Sequence, residues 1–187
     1  MFKSLTFFDA PHREHLKPLS FTKPISEFRV GILTIREKWE KIFNCKSSWI
    51  TPDYLQYKFP HQPSKDTLFI YGGTLPTVEL TNQMLQLEPG DSIWHDDELV
   101  VYRGSTKDFK PANTFTDPNA KRLLLDGEPG ILKRAHHLLS HNSQQIKADY
   151  ARLKCNSGSL PIPKSVVVIG DLFDANGDQK LYIDAGA

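Results

Sequence analysis

Cysteine, net charge and long apolar runs are what this 187-residue chain has least of, and each shortage excludes something. The two cysteines, Cys45 and Cys155, are far apart in sequence and fit neither a zinc knuckle nor a disulfide scaffold. A reducing compartment is the simpler expectation. The formal net charge is +1, so no broad basic field points to nucleic acid and no acidic tract suggests disorder. Any anion site must therefore be local. The N-terminus lacks the apolar core of a signal peptide, and runs such as 166–169 are far too short to span a bilayer. These absences predict a soluble, cytoplasmic protein with neither a membrane nor a nucleic-acid partner.

What is present suffices for one ordinary domain: 39 % apolar residues, with eleven Phe and three Trp to fill a core. Residues 5–8 read as a buried first strand ended by Asp9-Ala10-Pro11. Over 31–43, Ile32, Ile35, Trp39, Ile42 and Phe43 recur at helical spacing, leaving Arg36, Glu37, Glu40 and Lys41 on the wet side. Thr51-Pro52-Asp53 has the form of a capped helix start, with a short helix through Tyr57. Residues 67–71 form a second buried strand stopped by Gly72-Gly73, followed by a helix over 78–87. Strands at 92–94 and 99–103 flank His95-Asp96-Asp97-Glu98 and predict a hairpin. A long loop over 104–119, a strand over 122–126 and a helical region to Lys154, broken near Asn142, come next. Residues 156–163 have the composition of a linker. Strands separated by helices imply an α/β sheet, mostly parallel, with a hairpin in its second half.

One stretch carries a family pattern. Leu16-Lys17-Pro18-Leu19-Ser20 precedes Lys23-Pro24, and then Arg29-Val30-Gly31-Ile32-Leu33-Thr34-Ile35-Arg36-Glu37-Lys38-Trp39-Glu40. This order resembles the start of sugar-1-phosphate nucleotidyltransferases. It is more similar still to a bacterial sugar nucleotidyltransferase family related to the bifunctional N-acetylglucosamine-1-phosphate uridylyltransferase/acetyltransferase. The resemblance implies a nucleotidyltransferase-like (Rossmann-like) α/β fold that handles nucleotide sugars or sugar phosphates, with Mg²⁺ as cofactor. It also implies a β-helical acyltransferase-like domain after the first one. Ile169-Gly170-Asp171-Leu172-Phe173 and Ile183-Asp184-Ala185-Gly186-Ala187 each begin like a hexapeptide repeat, the unit of a left-handed β-helix. The expected organisation is thus a nucleotidyltransferase-like domain at 1–130, a helical connector and linker at 131–165, and the first coil of a β-helix at 166–187. The full-length protein would be a homotrimer through that β-helix.

Nucleotidyl transfer needs cations around the phosphates and usually a carboxylate-held Mg²⁺. The resembled enzymes use a Gly-rich loop after the first strand, but Asp9-Ala10-Pro11-His12-Arg13-Glu14-His15 contains no glycine and Pro11 has no N–H. Arg13 and Lys23 are the candidate catalytic cations; the alternative is that both are solvated surface charges. Asp9, Gly72, Gly73 and Arg29 are the candidate substrate-binding residues, in a pocket at the carboxyl ends of the central strands. In the relatives a Gly-Asp after the second strand supplies the metal ligand, whereas this chain has Gly73 at that position. No metal ligand is assigned for that reason, and a catalytically degenerate binding or structural module is the alternative function. Asp96-Asp97 reads as a turn rather than a metal pair. Asp174, Asn176 and Asp178 open like a calcium loop, which fails at Gln179 and Ala185. His136, His137 and His141 read as ordinary helix histidines. Arg29 and Arg36 flank Gly31 near a helix start, where either an anion or ion pairs with Glu27 and Glu40 would suit.

Overall fold

In the computed structural model, residues 2–107, 121–125, 127–128, 130–156, 159–177 and 180–183 are described. Strand β1 (Ser4–Phe8) pairs in parallel with β2 (Ser47–Ile50) on one side and β3 (Thr67–Tyr71) on the other. Parallel neighbours require long crossovers. The first carries helix α1 (Ile35–Phe43) and the second a single turn, α2 (Asp53–Gln56). All five residues of β3 are buried, as a continuous apolar run in a covered parallel sheet should be. Antiparallel pairing then takes over: β5 (Glu98–Gly104) lies on β3, and β4 (Ser92–His95) lies on β5. Finally β6 (Arg122–Leu124) runs parallel to β4 and gives the order β2-β1-β3-β5-β4-β6. Three of the five pairings are parallel, so this is a mixed α/β sheet with flanking helices. The β4–β5 turn is made by Asp96 and Asp97 at φ +48° and +61°, as a tight right-twisted hairpin requires.

Helix α1 begins later than the apolar spacing predicts. Thr34 caps it, accepting from Glu37 N while Glu37 accepts from Thr34 N at 2.7 Å, a complete capping box. Ile32 consequently stays outside the helix and 36 % exposed, and Lys38 takes a buried place beside Ile35 and Trp39. Trp39 stacks on Phe43 and donates to Thr74 O at 2.8 Å, which ties the helix to the segment after β3.

Helix α3 (Val78–Gln86) is capped by Thr77, and α4 (His137–Asn156) runs through Asn142 without the predicted break. Asn142 Oδ1 accepts from Gly31 N at 2.8 Å, so its side chain serves a distant loop. Strand β2 falls where the sequence reading placed no strand, because Ser47-Ser48-Trp49-Ile50 is half-exposed at the sheet edge and its pattern is weak. Thr51 is not a cap: its hydroxyl donates to Asp9, and the N-cap position of α2 is Pro52, which provides no side-chain cap. Among the described residues of 159–183 no strand forms, and Val167 and Ile169 are 84 % and 96 % exposed. Several sequence expectations fall outside the described residues: most of the 104–119 loop, Asp126, Asp178, Gln179, residues 157–158 and 184–187, and the side chain of Cys155. No described helix is long and apolar enough to cross a membrane.

Candidate functional site

The carboxyl ends of β1, β2 and β3 point the same way, and the N-terminal end of antiparallel β5 lies beside them. In such sheets the loops diverge at that edge and leave a crevice. Two hollows lie there and share Ala10 and Pro11. One, of about 130 Å³, is lined by Ala10, Pro11, His12, Tyr71, Asp97, Glu98 and Leu99. The other, of about 290 Å³, opens beside Asp9, Arg13, Glu14 and Thr51. Where a Gly-rich loop would sit, residues Pro11–Leu16 form a 3₁₀ turn started by Pro11. That turn carries His12 and Arg13 to opposite tasks.

Arg13 faces inward, with the side chain 7 % exposed, and pairs with Asp9 at 2.7 Å. Its Nη1 also donates to Lys23 O at 3.2 Å, and its Nη2 to Ser20 O and to Tyr54 Oη at 3.1 Å. Asp9 accepts in addition from Ile25 N at 3.0 Å and from Thr51 Oγ1 at 2.7 Å. Burial pushes the Asp9 carboxyl above its usual range, against the lowering pull of Ile25, Thr51 and Arg13. Asp9 and Arg13 are therefore a buried clasp on the 18–25 segment. Lys23 joins that clasp through its carbonyl, while its ammonium sits over the Phe28 ring.

His12 faces the smaller hollow. Its Nε2 donates to Glu98 Oε1 at 2.5 Å, and Lys133 Nζ reaches Glu98 Oε2 at 2.7 Å. Burial alone would raise the Glu98 pKa, but the hydrogen bonds from Lys133 and His12 outweigh it and hold the carboxyl below its usual value. Tyr71 forms the floor, its pKa raised by burial and its hydroxyl donating to Leu132 O at 2.9 Å. The sequence reading missed this trio. Glu98 was visible only as a turn residue, and nothing local to Lys133 marks it as a neighbour of the strand ends.

Gly72 and Gly73 are at the expected strand end, but both are covered. A Cβ on Gly72 would lie 3.1 Å from Ser26 N, and one on Gly73 would lie 2.8 Å from both Leu132 O and the Tyr71 ring. The glycines admit protein backbone there: Leu132 N donates to Gly73 O at 2.8 Å. Gly73 brings no ligand atom and has no room for a carboxylate, and Asp9 is engaged by Arg13, so the residues present do not fit Mg²⁺ at this position. Among the described residues no group of three or more His, Cys, Asp or Glu is placed to hold a metal ion. Arg29 lines neither hollow; it is exposed and donates to Ile32 O. Arg36 takes the ion-pair alternative, meeting Glu27 at 2.6 Å and Glu40 at 2.5 Å.

None of the curated proteins compared with the chain matches it. The family described as "Sugar nucleotidyl transferase" matches residues 5–157, which include every residue of both hollows and of the Asp9–Arg13 clasp.

Proposed function

We propose, from the premise that this chain belongs to the sugar nucleotidyl transferase family, that it binds a nucleotide sugar or sugar phosphate at the carboxyl ends of β1 and β3. The observation that carries this reading is the convergence of His12 and Lys133 on Glu98 above the Tyr71 floor. An incoming phosphate would compete with Glu98 for His12, which lines the hollow, and for Lys133, which reaches the same carboxylate from outside the lining. Lys23, whose ammonium stands over the Phe28 ring, is a further cation on the segment held by the Asp9–Arg13 clasp, although it lines neither hollow. Arg13 acts by holding Asp9 and the 18–25 segment in place rather than by reaching a phosphate, because both terminal nitrogens are already engaged. Nucleotidyl transfer by this chain is the more demanding form of the proposal, since Gly73 cannot supply a metal carboxylate. Binding should be easier to detect than turnover.

Kinship with the uridylyltransferase/acetyltransferase and a trimeric β-helix beginning at 166–187 belong to the same proposal. They are supported by the hexapeptide-like motif at Ile169-Gly170-Asp171.

Calorimetry with nucleotide sugars, sugar 1-phosphates and nucleoside triphosphates tests the reading. Heat is expected with at least one class, and Lys133→Ala should weaken that binding about tenfold, the scale of one charge-assisted hydrogen bond. Absence of heat with all three classes ends it. Mg²⁺-dependent pyrophosphate release by the purified chain would establish transfer and overturn the expectation drawn from Gly73.

A further inference from the structure

A larger cavity, about 600 Å³, lies across the 130–132 segment from the strand-end crevice, between the start of α3 and the inner face of α4. The segment is a fixed partition: Leu75 N donates to Gly130 O at 2.7 Å, and Leu132 N donates to Gly73 O at 2.8 Å. We propose that this cavity is a second ligand site, and that it takes the hydroxyl groups of an uncharged sugar or polyol. The inference goes beyond the crevice reading and does not depend on it.

Size alone permits a small ligand, since such sites enclose roughly 300–1,000 Å³. The chemistry of the wall selects its class. Glu79, Glu128, Gln144, Gln145, His141 and Arg152 line the cavity, a mixture of acceptors and two-way groups with one cation against two carboxylates. Arg152 is itself partly neutralised, 3.1 Å from Asp149. His141 is driven toward its neutral form, first by burial and then by His137. No excess of positive charge is left to attract a phosphate or carboxylate. Hydroxyl groups suit the wall better, because each can donate to a carboxylate or amide oxygen and accept from an amide or guanidinium N–H.

Gln145 sharpens the point. It is 6 % exposed, and its Oε1 is buried without a hydrogen-bond partner. An unpaired buried carbonyl is costly and uncommon in a folded protein, so one at a cavity wall is an acceptor awaiting a donor. Leu75 and Pro76 supply an apolar floor on which the C–H face of a sugar ring can rest.

The test is two-dimensional amide NMR of the whole chain, titrated with N-acetylglucosamine, glucose, galactose and glycerol, with glucose 1-phosphate and citrate as charged probes. At least one neutral probe should shift the signals of Thr77, Glu79, Gln144 and Gln145 while leaving His12 and Leu99 unmoved. Gln145→Met keeps the side-chain length, removes the unpaired carbonyl, and should weaken the effect about tenfold. Gln144→Ala, at an exposed position, gives a second variant should Gln145→Met fold poorly. The proposal is overturned if no neutral probe shifts these signals at tens of millimolar. It is also overturned if both variants respond like the parent, or if the charged probes bind here more tightly than the neutral ones. Nucleotide-sugar binding at the crevice should be unchanged by Gln145→Met, so the two readings fail separately.

Discussion

Lys38 Nζ and Asp149 meet with both side chains at 0 % exposure. Burial lowers the lysine pKa, and the Asp149 hydrogen bond opposes that shift. Asp149 also accepts from Ile32 N at 3.0 Å, Leu33 N at 3.1 Å and Arg152 at 3.1 Å. Removing it strands a buried cation and two amides, so Asp149→Ala should cost about 3–5 kcal/mol in urea denaturation. Lys38→Met should cost less, because Asp149 keeps its other donors. Acid sensitivity belongs to other carboxylates, Asp66 and Glu98 among them, with Glu37 also held, against burial, below its ordinary value by Thr34 and the neighbouring arginines. Paired hydrogen bonds from Arg103, each 2.9 Å, hold the Asp66 pKa below its ordinary 3.8, and Glu98 is held below 4.5 by Lys133 and His12 against burial. Both folded values are depressed, so their stabilisation is fully present above the ordinary values and is lost as pH falls through the lower ones. Melting temperature should therefore fall below about pH 4.5, and Asp66→Asn should flatten that fall; an unchanged slope would refute the assignment. At this scale the sequence revealed that Asp9 and Arg13 belong together but not that they saturate one another. A side chain's free valence depends on carbonyls such as Ser20 and Lys23, which no motif encodes.

Among the elements, β1 and β3 could be read directly because short, mainly apolar runs bounded by turn residues leave few alternatives. The hairpin was equally legible, since Asp96 and Asp97 tolerate the positive φ that the turn demands. Helix α1 was legible in its middle and wrong at its start. Periodicity assigned Ile32 to the buried stripe and overlooked Lys38, because the partner that decides the matter, Asp149, lies 111 positions downstream of Lys38. The capping box explains the true start, and Thr34→Ala should destabilise the protein by about 1 kcal/mol while Thr34→Ser leaves it nearly unchanged. Chemical denaturation of the two variants measures the difference. Equal stability of the parent and Thr34→Ala would show that the docked loop, rather than the cap, fixes where the helix begins.

For the molecule as a whole, the question is whether the sheet can stand without α4. The family match ends at residue 157, just past the end of α4 at Asn156, whereas the connector was expected to begin at residue 131. The contacts favour the longer unit. Ile131 bridges Thr74, Leu132 caps Gly73 and receives the Tyr71 hydroxyl, and Asn142 and Asp149 satisfy the amides of Gly31, Ile32 and Leu33. A chain ending at residue 130 loses all of these and leaves Lys38 inside without its counter-ion. Each stranded buried group costs about 1–3 kcal/mol, while a whole domain is stable by only about 5–15 kcal/mol. Such a chain should show no cooperative thermal transition. One ending at residue 157 should melt close to the full chain, because Val166, Val167, Ile169 and Phe173 beyond it are largely exposed and add little buried area. Circular dichroism melts of the two truncations decide the matter. A cooperative transition in the 130-residue chain would mean that the sheet and α1 carry the fold alone and that α4 is an accessory.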